Sequence, residues 1–262
     1  MPEGHTIHRL ARDLNRAFAG ERIDAASPQG RFDAGAERID GQTVDRFEAW
    51  GKHLVGRFES GEALHVHLGL IGKFRRAKGD PVGQVRLRLS VDDVHWDLRG
   101  PMVCRLGGPE VADEVASKVG PDPLRKDGCV EEFLRRIGRK RVAIGAALLD
   151  QSVVAGIGNV YRAEFCFILG LDPFTPANEV STDTVGDIWR LAIDQMKVGE
   201  RIGRIVTVEP AEAGVERHRD VPARERLYVY KRDGHRCRRC RSTIRVGELA
   251  GRKVWWCPTC QR

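Results

Sequence analysis

Four cysteines near the C-terminus offer the sharpest chemistry in the chain. Cys237-x-x-Cys240 and Cys257-x-x-Cys260 are separated by 16 residues, a spacing that suits four thiolates around one tetrahedral zinc ion. Each close pair can bend so that both sulfurs meet one ion, while the residues between the pairs form a short hairpin. Four thiolates leave no coordination position for water, so the single zinc is expected to be structural, and a zinc hydrolase is excluded. Four unrelated cysteines would be the bland alternative, and the spacing speaks against it. Beside the second pair, GRKVWWCPTCQR sets Arg252 and Lys253 next to Trp255 and Trp256. Cationic side chains on a rigid, metal-held hairpin suit contact with phosphates or a nucleic-acid groove.

Two further stretches carry reactive or binding groups. Pro2 makes Met1 normally removable in cells, which would expose a prolyl secondary amine. An α-amino group titrates at about 7.7–8.0 and a lysine at about 10.4. Proline's amine is more basic than a primary one, yet it keeps more free base near neutrality than an ordinary lysine. Attack by a secondary amine on a sugar's anomeric carbon gives a cationic iminium, an electron sink for later elimination. Glu3 stands beside it as a proton shuttle. Taken alone, Met-Pro-Glu is a common start with no such meaning.

The segment AGIGNVYRAE superficially matches a dinucleotide fingerprint. It lacks the third glycine and follows a helix rather than a strand, which rules that reading out. Gly156 and Gly158 allow a sharp turn, Asn159 can cap the next helix, and free amides at a helix start attract phosphate. An ordinary helix–helix turn explains the same residues equally well.

The elements around these groups fall into two kinds. Ile7, Leu10, Ala11, Leu14 and Phe18 form a helical stripe over 3–20, stopped by Gly20. From 22 to 106 the pattern is strand-like: Val85, Leu87, Leu89 and Val91 alternate with polar residues, and Asp92-Asp93 offers a turn. Ser60-Gly61 separates strands at 54–58 and 64–68. This half is expected to be a β-sandwich with a helix laid on it. Residues 119–128, rich in proline and glycine, are expected to be a linker. Helices are expected at 131–137, 142–149, 159–169 and 184–196, then a mobile polar loop over 209–225. The division is therefore 1–118, linker 119–128, 129–225 and 226–262.

Bulk properties narrow the function classes. The chain has 262 residues, enough for two cores, and no apolar run approaches a membrane span. The first ten residues are too charged for a secretion signal, which leads to the expectation of a soluble intracellular protein. The formal net charge is +7, and 16 of the 44 basic residues but only 7 of the 37 acidic ones lie in the last 62 positions. Positive charge is thus concentrated around the cysteine pairs, as on a surface that meets phosphates, although a solvated basic tail has the same composition. Cys104, Cys129 and Cys166 are expected to be small core fillers, and an odd total of 7 cysteines argues against a disulfide framework.

The combination decides. PEGHT at the start, WGKHL at 50–54, HLGLIG at 67–72, LLDQSVVAGIGNVYRAE at 148–164 and GRKVWWCPTCQR at the end occur in this order over the whole chain. Together they resemble the formamidopyrimidine-DNA glycosylase/endonuclease VIII family, and the glycine after Glu3 resembles its endonuclease VIII branch. The resemblance implies an α+β fold: an N-terminal β-sandwich with flanking helices, then a helix–two-turns–helix domain plus a zinc finger. It implies a bifunctional DNA glycosylase and lyase of base excision repair. Such an enzyme removes oxidised pyrimidines and cleaves the strand by β/δ-elimination. By motif, Pro2 becomes the Schiff-base nucleophile and Glu3 the acid/base at the sugar. Lys52 becomes the hairpin lysine beside the lesion phosphate and a proton donor. Asn159 and Lys253 would contact DNA, Arg252 would clamp phosphate and assist the final elimination, and Leu70 would be a wedge in the base stack. The partner implied is damaged DNA, single- or double-stranded, met by a monomer in the bacterial cytoplasm at the nucleoid, with no membrane association.

The chain also departs from the family pattern. His5 stands where proline is usual. Aligned on Gly107, Cys104 and Leu106 occupy the places of an arginine and a phenylalanine that fill the gap left by an extruded base. This alignment leads to the expectation of a weakly propped gap and a leaning toward single strands, bubbles and mispairs. The competing reading is a zinc-finger DNA-binding protein that has kept the fold and lost the chemistry.

Overall fold

The amphipathic stripe at the start folds as helix α1 (Gly4–Phe18), burying Ile7, Leu10, Ala11, Leu14 and Phe18. The computed structural model describes residues 2–262; Met1, and with it the expected loss of the initiator methionine, lies outside the described residues. The chain forms two compact units, 1–118 and 119–262.

Among its described residues the first unit holds eight strands: β1 (Asp24–Ala26), β2 (Val44–Trp50), β3 (His53–Phe58), β4 (Ala63–His67), β5 (Lys73–Ala77), β6 (Leu87–Val91), β7 (Val94–Arg99) and β8 (Val103–Gly107). They form two antiparallel sheets, ordered β1-β6-β7-β5 and β2-β3-β4-β8. Inward residues of both sheets share one core with α1, including Phe47, Leu54, Leu64, Val66, Phe74, Leu87, Leu89 and Leu98. The sandwich is thus built by period-two alternation, as expected. Asp92, in the expected turn, takes the left-handed conformation at φ 48, which short polar side chains tolerate best after glycine.

Two helices interrupt the stretch that reads as strands. Helix α2 (Asp33–Ile39) turns only Ala36 and Ile39 inward, too short a stripe to register as periodic. Helix α3 (Glu110–Lys118) lays Val111, Ala112 and Val115 on Val55 and Ala63, covering part of the outer face of the second sheet.

The second unit contains α4 (Val130–Ile137), the single turn α5 (Ile144–Ala147), α6 (Asn159–Ile168) and α7 (Thr182–Ile202). Helix α7 outruns its expected end by six residues. Ser181 caps its first turn, and Gly203 at φ 75 closes its last. Residues 119–128 fold onto this unit: Gly120 N–H donates to Gln151 O at 2.7 Å, and Ala155 N–H to Pro121 O at 3.0 Å. The stretch 209–225, expected to be a loop, is wound into three short 3₁₀ turns, and Tyr228 Oη reaches across to Glu212 at 2.7 Å. Strands β9 (Arg245–Leu249) and β10 (Arg252–Trp256) end the chain as a hairpin.

Helix α6 is buried from Asn159 to Phe167 because it serves two cores. Tyr161 and Phe165 pack with α4, α5 and α7 residues such as Phe133, Ile144 and Trp189. Ala163 and Phe167 pack with Tyr228, Ile244, Trp255 and the cysteine region. Of the three isolated cysteines, Cys166 is buried and Cys104 packs on the first core. Cys129 corrects its expectation: it is exposed, with Sγ 3.2 Å from the Glu131 carboxylate, because it precedes α4 rather than facing its apolar side. No helix among the described residues is long and apolar enough to cross a membrane.

Candidate active site

Within the first unit, Glu3 is the N-cap of α1 and has no solvent exposure, while Pro2 beside it is half-buried. A fully buried carboxylate is costly unless it is held by polar partners, so its position beside the chain's candidate amine is specific. His5, the departure from the family pattern, lies in the first turn of α1. Burial, with His8 nearby, lowers its pKa to about 3, so it sits there neutral. Helix α1 is tied to β2 by Asn15, which donates to Phe47 O at 2.8 Å and accepts from Phe47 N–H at 2.6 Å. At the other end of the contact, Gly20 N–H donates to Val44 O at 2.8 Å, so helix and strand run antiparallel. From Asn15 back to Glu3 is roughly 18 Å of helix, and from Phe47 on to the end of β2 at Trp50 roughly 10 Å of strand, with Lys52 in the turn beyond. Glu3 and Lys52 therefore lie toward the same end of the sandwich. Lys52 shares the β2–β3 turn with Gly51, whose φ of 59 suits glycine.

Leu70 lies in the tight β4–β5 turn. Gly72 N–H donates to Leu68 O at 3.0 Å, and a Cβ on Gly72 would come within 2.2 Å of that oxygen, so only glycine closes the turn. Leu70 and Ile71 are pushed outward, 68% and 78% exposed. The β7–β8 turn abuts them: a Cβ on Gly69 would stand 3.0 Å from Met102 Cβ. Met102 is itself 67% exposed. Cys104 and Leu106 do not belong to this tip. They pair with Val66 and Leu64 across β8 and β4 and pack on the sandwich core. The exposed large apolar side chains at this tip are Leu70, Ile71 and Met102. Ile71 and Met102 were missed, although large apolar residues inside glycine-bounded turns are a readable signal.

In the second unit, Gly156 makes the turn before α6 at φ 90. Gln151 staples it by accepting from Gly156 N–H at 3.0 Å and donating to Ile157 O at 2.9 Å. The N-cap of α6 is Gly158, with no side-chain cap. Asn159 is instead the first helical residue, and its amide donates to Lys253 O at 3.0 Å. Arg162, fully buried, donates to the same carbonyl at 2.9 Å, contacts Asn159 Oδ1 and reaches Gly145 O at 3.3 Å. The helix start and the β9–β10 hairpin are thus locked together, and Arg252 and Lys253 stand exposed at that junction.

The thiol sulfurs of Cys237, Cys240, Cys257 and Cys260 all lie within 4.8 Å of one another. The Cys237–Cys260 separation is 3.9 Å and the Cys240–Cys257 separation 3.3 Å. Ligands at about 2.3 Å from a tetrahedral zinc would be roughly 3.8 Å apart, so the donor set and its spacing fit that ion. Pro2, Glu3, Lys52 and Leu70 belong to the first unit; Asn159, Arg252, Lys253 and the cysteines belong to the second.

Residues 1–101 match the formamidopyrimidine-DNA glycosylase N-terminal domain, and residues 119–209 match the formamidopyrimidine-DNA glycosylase H2TH domain. The chain is 45% identical to endonuclease 8 1 of Mycobacterium tuberculosis, covering all of both sequences. It is 33% identical to the probable endonuclease 8 2 of Streptomyces coelicolor, covering all of this chain and 94% of that one. Its fold superposes on the formamidopyrimidine-DNA glycosylase of Lactococcus lactis, solved with an N7-benzyl-Fapy-dG-containing DNA, at a TM-score of 0.82 and 21% identity over the full length of both. Matched by both family domains over more than half of its length and by full-length relatives, the chain belongs to the formamidopyrimidine-DNA glycosylase and endonuclease VIII family of DNA-repair glycosylases and lyases, beside the proteins named endonuclease 8.

Proposed function

We propose that the protein excises oxidised pyrimidines from damaged DNA and then cuts the strand at the exposed sugar. The Pro2 amine attacks C1′ as the glycosidic bond breaks, with Glu3 moving protons at the sugar and the base leaving. The resulting iminium withdraws electrons, so a proton at C2′ can be lost and the 3′-phosphate expelled; a second elimination releases the 5′-phosphate. Lys52 holds the lesion phosphate and supplies a proton, Asn159 and Lys253 hold neighbouring backbone, and Arg252 assists the last elimination. Leu70, with Ile71 and Met102, takes the space of the extruded nucleotide.

In this reading 1–118 carries the nucleophile and the acid/base, 119–128 connects, and 129–225 and 226–262 grip the DNA, with Arg252 of the last segment also assisting the final elimination. Cys237, Cys240, Cys257 and Cys260 hold one structural zinc, which fixes the hairpin fold and takes no part in the chemistry. The protein acts as a monomer in the cytoplasm, at the nucleoid.

The observation that carries the reading is Glu3, a carboxylate without solvent exposure, one residue from the candidate nucleophile. Borohydride trapping on an oligonucleotide containing thymine glycol or dihydrouracil tests it. Protein with Pro2 at the N-terminus should form a reduced covalent adduct; protein retaining Met1 has an amide there and should form none. Equal trapping by both forms would move the chemistry to a lysine.

A further inference from the structure

The face of β3, β4 and β8 turned away from the sandwich core carries polar side chains that the motifs leave unexplained. His53 is paired with His67, and His65 with Arg105; directly opposed residues share a face. His53 Nδ1 lies 2.9 Å from His65 Nε2, and the His53 and His67 ring centroids are 4.7 Å apart. Arg105 Nε donates to His65 Nδ1 at 3.3 Å and its Nη2 donates to Glu114 at 2.5 Å. Glu114, on α3, also holds Lys118.

This chain of bonds runs in one direction. A guanidinium has donors and no acceptor, so His65 Nδ1 must accept. Neutral His65 then carries its hydrogen on Nε2 and gives it to His53 Nδ1. His53 in turn carries its hydrogen on Nε2, as an N–H donor. Protonating either ring would set N–H against N–H at one of the two joints. The charged groups facing the rings act the same way. Lys52 lies at the β2–β3 turn, His67 on β4, Arg105 on β8 and Lys118 on α3; all oppose a proton, and only Glu114 favours one. Burial first, and then these neighbours, lower the pKa of His53 to about 3 and of His65 to about 4. His53 is half-buried and directly follows Lys52, whose charge acts on its ring.

We propose that His53 is a phosphate-binding residue next to Lys52, offering a neutral Nε2–H donor whose tautomer is set by Arg105 and Glu114 through His65. The ligand is a backbone phosphate of DNA, so the inference rests on the reading of the protein as a DNA-lesion enzyme. His65, Arg105 and Glu114 are positioning residues that never touch the phosphate. A neutral donor adds a hydrogen bond without releasing a counterion, which separates its signature from that of Lys52.

Long-range ¹H–¹⁵N imidazole spectra of the full-length protein test this, free and with a duplex carrying a non-cleavable abasic analogue. Expected are neutral Nε2–H tautomers for His53 and His65 from pH 7 down to about 5, a mixture of tautomers in Arg105→Met, and a shift of His53 Nε2 on DNA binding. His53→Phe should weaken binding roughly 2- to 10-fold with the salt slope unchanged, and His53→Gln, which restores an N–H donor, should recover most of it. Lys52→Ala should reduce the slope by about 0.9. A hydrogen on His53 Nδ1, a His53 signal indifferent to saturating DNA, or wild-type binding by folded His53→Phe would overturn the proposal. Wild-type protein that neither traps nor binds lesion DNA would overturn the functional reading and the phosphate role together, while the tautomers of the free protein would still be read independently.

Discussion

Glu164 has no solvent exposure, yet its carboxylate is the centre of a tight backbone turn. It accepts from the N–H groups of Tyr228 at 2.8 Å, Val229 at 2.9 Å and Tyr230 at 2.9 Å, and from the Thr207 hydroxyl. Three amides converging on one side chain bend the segment that leads into Cys237. Glu164→Gln keeps the shape and removes half of the acceptor. With the remaining oxygen on Val229 and Tyr230, the new NH₂ faces the Tyr228 N–H, donor against donor; Thr207 can rotate and accept. One buried bond is lost outright, worth about 1–3 kcal/mol, and two charge-assisted bonds become neutral at about 0.5–1 kcal/mol each. The expected loss is about 2–5 kcal/mol. Urea unfolding followed by fluorescence of Trp189, Trp255 and Trp256, all in the second unit, reads it; Trp50 and Trp96 report the first. The two units need not unfold together, so the transitions are fitted separately. Only the second should move. A shift under about 0.5 kcal/mol would refute the reasoning, because it would mean that the cost of burying the carboxylate cancels its bonds.

Metal analysis should find one zinc per chain, and Cys257→Ser should lose DNA binding while the first unit remains folded; full activity of metal-free protein would sink the assignment. Leu70→Ala and Met102→Ala should slow excision from a matched duplex roughly 10-fold or more and leave excision from single strands nearly unchanged. Equal losses on both substrates would show that the tip does not act on the stack.

The sandwich was legible because a period-two pattern decides which side of a strand faces the core, and Leu87 and Leu89 of β6 obey it. Helix α1 was legible for the analogous reason at period 3.6. Helix α6 shows the limit of that signal. Its residues are buried all round, with polar Asn159, Arg162 and Glu164 satisfied by backbone groups far along the chain. Periodicity marks where a helix meets one core and says nothing of a second. Arg162 looks like a solvated cation in the sequence, and no local pattern reveals that it closes on the carbonyl of Lys253, 91 positions away. The cysteine cluster was legible because a metal's geometry, unlike a hydrophobic core's, restricts both the residue type and the spacing.

The tip of the first unit shows a different limit. Counting back from Gly107 placed Cys104 and Leu106 where a stacked base would be replaced, and the count ignores the sheet. In β8 both residues point inward, paired with Val66 and Leu64 of β4. A strand's interior positions are committed to the core by its register, and a shift of two residues leaves that commitment unchanged. Only the turn that precedes β8 is free to project a side chain, and Pro101-Met102 occupies it; Met102 N–H donates to His67 O at 2.8 Å, which holds the turn against the end of β4. The side chain that lies beside Leu70 is therefore chosen by where the strand begins. An apolar methionine there can fill the space of an extruded nucleotide but has no charged donor to pair with the base left opposite. A tip of Leu70, Ile71 and Met102 should accordingly discriminate by stacking, favouring poorly stacked lesions in whatever pairing they occur, with little dependence on the opposite base.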